Sequence, residues 1–255
     1  MNDFMSKFHF DPRKAGYLGV ERECFLANGT GRILPIAPKV LAALPVGNRF
    51  GYELSACQLE ERTGPCPNLS AVLDQFDRNE EAMWKAEEQV GFSRLYREVA
   101  PEDMPLDVYP DPTGRYQQIT ANMPIERLRS ACRVAAVHIH VGMPDHETAL
   151  RVYNSVVPYT GKLILAGNRS RGERHRIYQG MAPNWMPVMH HNWQAFEAYA
   201  QRHGFHEDPR QCWHLIRISV HGTIEFRMFD TTHCLHTIKQ WAAQCYTLCE
   251  DELTR

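Results

Sequence analysis

The sequence predicts an α+β fold, in which a curved antiparallel β-sheet presents a polar concave face and helices pack on its outer face. One reason is that short segments alternate acidic or imidazole side chains with apolar ones, and side chains two residues apart share a strand face. The other is that longer segments between them carry apolar residues at helical spacing. A sheet with one polar and one apolar face is typical of antiparallel strands backed by helices. The polar positions are Glu21/Glu23, Glu60, His138/His140 and Glu225/Arg227.

The composition is that of an ordinary globular protein, and it argues against two classes of binding partner. Of the 255 residues, 44% are hydrophobic and 23% are charged, and the formal net charge is −2. This balance argues against a general nucleic-acid or membrane-surface binder, and no apolar run approaches the roughly 18 residues of a membrane span. We therefore expect neither nucleic acid nor a membrane as a partner, while the sequence leaves a homo-oligomer open.

The cysteines and the first residues bear on the compartment. The eight cysteines are scattered without a C-x-x-C pair, and Met1–Phe4 lack the basic and apolar regions of a secretory signal. We therefore expect reduced thiols in a cytoplasmic protein. Residues 1–255 are expected to form a single domain, in which residues 1–14 are a poorly ordered leader.

The first predicted strand runs to about Leu26 and carries two carboxylates on one face. Glu21 and Glu23 project to the same side, opposite the strand's apolar side chains. Adjacent carboxylates repel each other unless a cation lies between them, and Mg²⁺ prefers such oxygen ligands. A solvated edge strand with two glutamates is the alternative. Arg22 falls on the face that should be apolar, and the sequence offers no reason for it.

The segment that follows predicts a second polar strand. The elements before it are a turn at 28–31, a returning strand at 32–34 and a helix at 39–44 that Pro38 opens. Within 50–63, alternation places Gln58, Glu60 and Arg62 on one face. Glu60 and Arg62 then form either part of a site or a surface ion pair.

A long helix and a long loop are predicted next. Asn68 or Ser70 can cap a helix that continues to about Arg97, and its apolar residues recur at helical spacing. We expect this helix to cover the back of the sheet. Residues 101–120 are rich in proline, aspartate and glycine and carry no periodicity, which indicates a loop at one edge of a cleft.

The strand predicted at 134–141 places two histidines on one face. His138 and His140 alternate with valine and isoleucine, and each can coordinate a metal, donate to phosphate or simply be hydrogen-bonded. Asp145 then caps a helix that Pro158 ends, and a second helical segment follows at 160–167.

Residues 168–176 contain four arginines and are either a phosphate-facing loop or a solvated, mobile one. The remaining predicted elements are a helix at 190–203, strands at 215–220 and 223–229, and a last helix from about Leu235.

The two last strands predict a hairpin whose register decides which residues face the cleft. A two-residue turn would place an apolar side chain opposite Glu225 on the polar face. A three-residue loop instead pairs Ser219 with Thr223 and Arg217 with Glu225, and needs Gly222 in the left-handed region. We predict the longer loop, with Leu215 near the rim.

These motifs, taken in order, resemble a known family. Gly19–Glu23, Gln58–Glu60 with Thr63, His138–Val141 and Gly222–Arg227 are similar to motifs of the carboxylate–amine ligases of the bacterial type 2 glutamate–cysteine ligase family. The resemblance implies a glutamine synthetase-like catalytic domain that uses ATP and more than one Mg²⁺ ion. It also implies small-molecule carboxylate and amine substrates, which are joined through an acyl phosphate.

The resemblance also implies roles for individual residues. The implied Mg²⁺ ligands are Glu21, Glu23, Glu60, His138 and Glu225. Glu225 and Arg227 would be catalytic, and Arg227 and His140 would contact ATP. Arg217, Asn168 and Thr63 would contact the substrate. A metal-dependent amide hydrolase and a non-catalytic relative that binds a nucleotide or an amino acid remain as alternatives.

Overall fold

The computed structural model of the chain describes residues 3–254 and contains an open, seven-stranded antiparallel sheet with helices around it. The strands are β1 (Leu18–Ala27), β2 (Phe50–Tyr52), β3 (Gln58–Arg62), β4 (Ser93–Leu95), β5 (Ala136–Gly142), β6 (Ile216–Ser219) and β7 (Thr223–Asp230). Their order in the sheet is β2-β3-β1-β5-β7-β6, and β4 pairs with the end of β1. The predicted fold class is confirmed.

Nine α-helices surround the sheet in the described part of the chain. They are α1 (Ala37–Ala43), α2 (Leu69–Val90), α3 (Arg115–Thr120), α4 (Ile125–Cys132), α5 (His146–Val156), α6 (Thr160–Gly167), α7 (Glu173–Met181), α8 (Trp193–His203) and α9 (Leu235–Leu253). The caps follow the sequence: Asn68, Asp145 and Asn192 each accept a hydrogen bond from a backbone N–H in the first turn of α2, α5 and α8. None of these helices combines the length and apolar composition that crossing a bilayer requires.

The sheet register brings the polar positions of neighbouring strands side by side. Glu23 of β1 lies opposite Glu60 of β3, and Glu21 lies opposite His138 of β5. On the other side of β5, His140 lies opposite Glu225 of β7. The polar side chains of β3, β1, β5 and β7 therefore form one continuous polar face across four strands.

The opposite face of the sheet carries the main hydrophobic core. Val20, Ile139 and Phe226 are completely buried there, and α5 and α9 contribute Val152 and Ile238 to the same cluster. The sheet is thus polar on its concave face and apolar on its helix-covered face. Burial of the apolar side drives the packing of the helices.

The expected leader is wrong for residues 3–14, and Met1 and Asn2 lie outside the described residues. Phe4 and Phe8 are buried and pack against Trp193 and Phe196 of α8. Short 3₁₀ turns form at Met5–Lys7 and Pro12–Lys14. The first residues are therefore part of the core, because aromatic burial offsets the entropy of ordering them.

Three other expectations need correction. The long helix ends at Val90 rather than near residue 97, because Gly91 turns the chain with a φ of 77° and β4 then pairs with β1. The loop at 101–120 contains α3, whose backbone N–H groups bond to Asp111 at its start. The returning strand at 32–34 is reduced to a single bridge between Ala27 and Ile33.

The hairpin between β6 and β7 has the predicted register. Ser219 pairs with Thr223 and Arg217 with Glu225, and Gly222 has a φ of 71°. A Cβ at Gly222 would also lie 2.2 Å from the carbonyl oxygen of His9, so the turn needs glycine for two reasons. Leu215 is fully buried in the main hydrophobic core rather than near the rim, and its carbonyl oxygen accepts a hydrogen bond from the N–H of Arg227.

Candidate active site

The concave face gathers carboxylates and imidazoles from four strands, β1, β3, β5 and β7. His138 Nδ1 lies 3.1 Å from Glu21 Oε2, and His138 Nε2 lies 3.6 Å from Glu23 Oε1. His140 Nε2 lies 3.5 Å from the other oxygen of Glu21. Glu21 is therefore shared by the two histidines. The predicted common face of His138 and His140 is confirmed.

Three overlapping groups of side chains have potential metal-ligand atoms within 4.8 Å of one another. They are Glu21/Glu60/His138, Glu21/His140/Glu225 and Glu23/Glu53/Glu60. The three groups contain all five residues expected to bind Mg²⁺ and add Glu53 and His140. Their donors are mostly carboxylate oxygens, which suit a hard divalent cation such as Mg²⁺.

Electrostatics distinguishes the two histidines. Burial, assisted by Arg227, lowers the pKa of His138 to about 4, so its ring is neutral near pH 7. Since the Nδ1 of that ring donates to Glu21, Nε2 keeps a lone pair and can act as a metal ligand. Burial lowers the pKa of His140 as well, but the charges of Glu21 and Glu225 outweigh it and raise that pKa above its usual value. His140 is thus suited to holding a proton.

Glu23, Glu53 and Glu60 lie close together at the β2–β3 side of the sheet and repel one another. Burial and the charge of Glu60 raise the pKa of Glu23 to about 8, and burial and Glu23 raise the pKa of Glu53 to about 7. Burial, with the charges of Glu21 and Glu53, raises the pKa of Glu60 well above its usual range. A cation bound among these oxygens would remove the repulsion, so the donor set fits Mg²⁺ in both chemistry and charge.

Glu225 sits between two arginines. Arg217 donates to both carboxylate oxygens at 2.7 and 3.0 Å, and Arg227 Nη1 donates to Oε1. Burial alone would raise the pKa of Glu225, but Arg217 and Arg227 hold it well below its usual range. The predicted placement of Arg217 in the cleft is confirmed, and Glu225 fixes the direction of both guanidinium groups.

Two cavities open onto this face. The larger, of about 850 Å³, contains the carboxylate cluster and is walled by Arg115, Tyr116 and Trp213, among others. The smaller, of about 510 Å³, lies toward the N-terminal segment and includes Thr63 and His140. Both cavities include Glu21 and Arg62, which therefore mark the junction between them.

Asn168 and the arginine-rich segment do not join the site. Asn168 Oδ1 accepts a hydrogen bond from the N–H of Gly172, and Asn168 lines neither cavity. Arg174 is buried and donates to the carbonyl oxygens of Arg227 and Met228, while Asp230 accepts from the N–H groups of Arg169 and Ser170. Through Arg174 and Asp230, this segment contacts the end of β7, and it lines neither cavity.

Sequence reasoning missed Glu53 and Arg62 as site residues. Glu53 follows β2 in a loop, where alternation says nothing about direction. Alternation predicts the face of Arg62, and an ion pair with Glu60 is one of the two interpretations that the sequence leaves open, but an ion pair alone does not indicate a site. No local pattern in the sequence singles out Glu53.

The sequence matches a known protein family over most of its length. The model of Glutamate-cysteine ligase family 2 matches residues 17–255. A glutamate–cysteine ligase from Natronomonas pharaonis is 25% identical over 248 residues, which are 89% of this chain and 67% of the relative. A putative glutamate–cysteine ligase 2 from Gloeobacter violaceus is 25% identical over 245 residues, covering 89% of this chain and 65% of the relative. The chain thus spans about two thirds of the length of these relatives.

A solved structure shares the fold. The bifunctional glutathione synthetase from Pasteurella multocida superimposes with a TM-score of 0.62 and covers 94% of this chain and 39% of its own. The identity is 12%, so this likeness concerns the fold alone.

Proposed function

Because the chain belongs to glutamate–cysteine ligase family 2, we propose that it is an ATP- and Mg²⁺-dependent carboxylate–amine ligase. An oxygen of the acid attacks the γ-phosphorus of ATP and ADP leaves. The amine nitrogen then attacks the acyl carbon, phosphate departs with that oxygen, and the nitrogen loses a proton. The observation that carries the proposal is the cluster of buried Glu23 and Glu60 with half-buried Glu53, whose mutual repulsion calls for a cation beside an arginine-lined cavity.

The chain's carboxylates and one imidazole would hold the metal. The candidate ligands are Glu21, Glu23, Glu53, Glu60, His138 and Glu225. Mg²⁺, when bound, would neutralise charge on the phosphate oxygens and polarise the phosphorus. Glu21 fits a second task, because its carboxylate accepts from His138 and orients the free Nε2 of that ring.

The arginines would stabilise the charge that develops on the phosphoryl and acyl oxygens. Arg227 lies in the wall of the larger cavity, 5.8 Å from the centre of the Trp213 ring, and Glu225 fixes its direction. A guanidinium that is already oriented before the reaction needs no reorganisation when charge develops on the substrate. His140, whose pKa is raised, would donate a further hydrogen bond to an anionic oxygen.

The two cavities would separate the nucleotide from the other substrates. The larger one has room for ATP, and its wall carries the aromatic ring of Tyr116 as well as several arginines. The smaller one would hold the acid before transfer, and Thr63 lies in its wall. Since both reach Glu21 and Arg62, the acid and the γ-phosphate would meet at that junction.

The test is ADP release from ATP and Mg²⁺ over a panel of acids and amines, beginning with glutamate and cysteine. ADP release that needs both an acid and an amine supports a ligase. An acid labelled with ¹⁸O should pass one labelled oxygen to the released phosphate, which tests the acyl phosphate directly. Amide hydrolysis without ATP would instead favour a hydrolase, and nucleotide binding without turnover a non-catalytic relative.

A further inference from the structure

Arg62 stands where the two cavities meet, and a glycine makes room for it. It is the last residue of β3, and its guanidinium lies over Gly51 of the neighbouring β2. A Cβ at Gly51 would come within 2.6 Å of Arg62 Nη2 and 2.7 Å of Cζ. Any side chain at position 51 would therefore push the guanidinium from its place.

Arg62 is also the arginine that is paired with the carboxylate cluster. Its Nε donates to Glu60 Oε1, and its charge also acts on Glu21 and Glu53. The two other arginines of the strands in this region, Arg217 and Arg227, are bound to Glu225 instead. In this arrangement Arg62 supplies the positive charge that the cluster would otherwise take from a metal ion.

A divalent cation and Arg62 compete for the same carboxylate. Glu60 belongs to two of the three groups of potential metal ligands. A cation bound at Glu60 would repel a guanidinium held on that residue, since like charges this close disfavour each other. The side chain of Arg62 is 39% exposed, so it can leave Glu60 without opening the core.

Building on the proposed function, we propose that Arg62 is an exchangeable guanidinium. In the metal-free protein it neutralises Glu60. When a divalent cation binds at Glu60, Arg62 is released to bind the phosphate oxygens of the nucleotide at the junction of the two cavities. A guanidinium can grip two phosphate oxygens at once, which lysine cannot do.

The exchange predicts opposite effects on two ligands. In Arg62→Met, Mn²⁺ added alone should bind about tenfold more tightly, because a like charge next to a site shifts such an equilibrium by about one log unit or more. A non-hydrolysable ATP analogue, added with saturating Mn²⁺, should bind at least about tenfold more weakly, because a charge-assisted contact is lost. Both affinities are measured by isothermal titration calorimetry. Arg78→Met, on an exposed residue of α2, makes the same change in net charge and should alter neither.

Two further variants distinguish the effect of the position of Arg62 from the effect of its charge. Gly51→Ala keeps Arg62 but displaces it, and should also tighten Mn²⁺ binding. Arg62→Lys keeps the charge and should restore only part of the affinity for the analogue. Weaker or unchanged Mn²⁺ binding by Arg62→Met would overturn the exchange, while amine-dependent ADP release by the unaltered protein would still support the ligase. An unaltered protein that binds neither Mn²⁺ nor the analogue overturns both.

Discussion

Two pairs of side chains in β1 and β3 lie one register position apart and differ in charge, since one pair has opposite charges and the other consists of two acids. On the helix-covered face, Arg22 lies opposite Glu61, and on the concave face Glu23 lies opposite Glu60. All four are at least nine-tenths buried. Arg22 Nε and Nη2 donate to Glu61 Oε2 at 2.9 and 2.6 Å, and the guanidinium also faces the ring of Phe76. The first pair joins opposite charges, whereas the second joins two acids.

The difference separates structural charge from functional charge. Breaking a buried ion pair removes the main compensation of a buried charge, so Arg22 and Glu61 contribute to the stability of the fold. Two buried acids side by side destabilise the fold and persist where a ligand neutralises them. This also accounts for Arg22, which the alternation of the strand alone left unexplained. The same substitution, glutamate to glutamine, should therefore have different consequences on the two faces.

The largest effect is expected on the concave face. Glu23→Gln should lower amine-dependent ADP release by about 10³-fold or more, since one charged ligand of the proposed metal site is lost. Its melting temperature should equal or exceed that of the unaltered protein in metal-free buffer, because one acid of a repelling pair is gone. Steady-state kinetics and calorimetry measure the two quantities. Near-normal turnover by a folded Glu23→Gln protein would refute the assignment of this face.

On the helix-covered face the same change should act on stability. Glu61→Gln should reduce the free energy of unfolding by about 3 kcal/mol, because buried Arg22 loses its nearest counter-charge and keeps only Glu80, 3.8 Å away. At a temperature where the variant is folded, its kcat should stay within a few-fold of normal. Chemical denaturation followed by tryptophan fluorescence gives the stability. A loss of activity without a loss of stability would refute the separation of a structural pair on the helix-covered face from a functional pair on the concave face.

How much the sequence could tell depends on the range of each interaction. Alternation within a strand predicted the faces of Glu21, Glu23 and Glu60, and the needs of a short turn predicted the register of Arg217 with Glu225. Both rest on residues close together in the chain. These predictions are confirmed because the backbone of a strand fixes which side chains share a face.

The interactions that the sequence did not reveal join distant segments. Phe4 packs against Phe196 of α8, so no local pattern could show that residues 3–14 are ordered. Arg22 meets Glu61 only after β1 and β3 pair. Glu53 reaches the cluster from a loop, where the chain has no periodicity to follow. Partners of this kind become visible only when the sheet is assembled.

A divalent cation should stabilise the concave face and thereby the whole chain. At a Mg²⁺ concentration of about 100 times the dissociation constant, the free energy of unfolding should rise by about 2.7 kcal/mol. Thermal unfolding with and without Mg²⁺ measures the change. Glu60→Gln should lose most of it, since Glu60 belongs to two of the ligand groups. Glu81→Gln, on an exposed residue of α2 that pairs with Lys85, should keep all of it.

The smallest effect concerns an imidazole on the helix-covered side. His214 is buried beside Tyr199 of α8, and burial, assisted by the charge of His190, lowers the pKa of His214 to about 4. In the unfolded chain this pKa is about 6.5, so the unfolded state binds the proton first. The stability that comes from keeping His214 neutral is complete above pH 6.5 and is lost as the pH falls from there toward 4.

The size of this effect can be isolated with one variant. Between pH 7.5 and pH 5.5, the unaltered protein should lose about 1 kcal/mol more stability than His214→Gln, whose side chain does not titrate. Urea denaturation of both proteins at the two pH values gives the difference, and any acid effect of the carboxylate cluster cancels because both proteins contain it. Equal losses would show that His214 is protonated in the folded protein, and that the helix-covered face tolerates a charge that its packing leaves without a counter-ion.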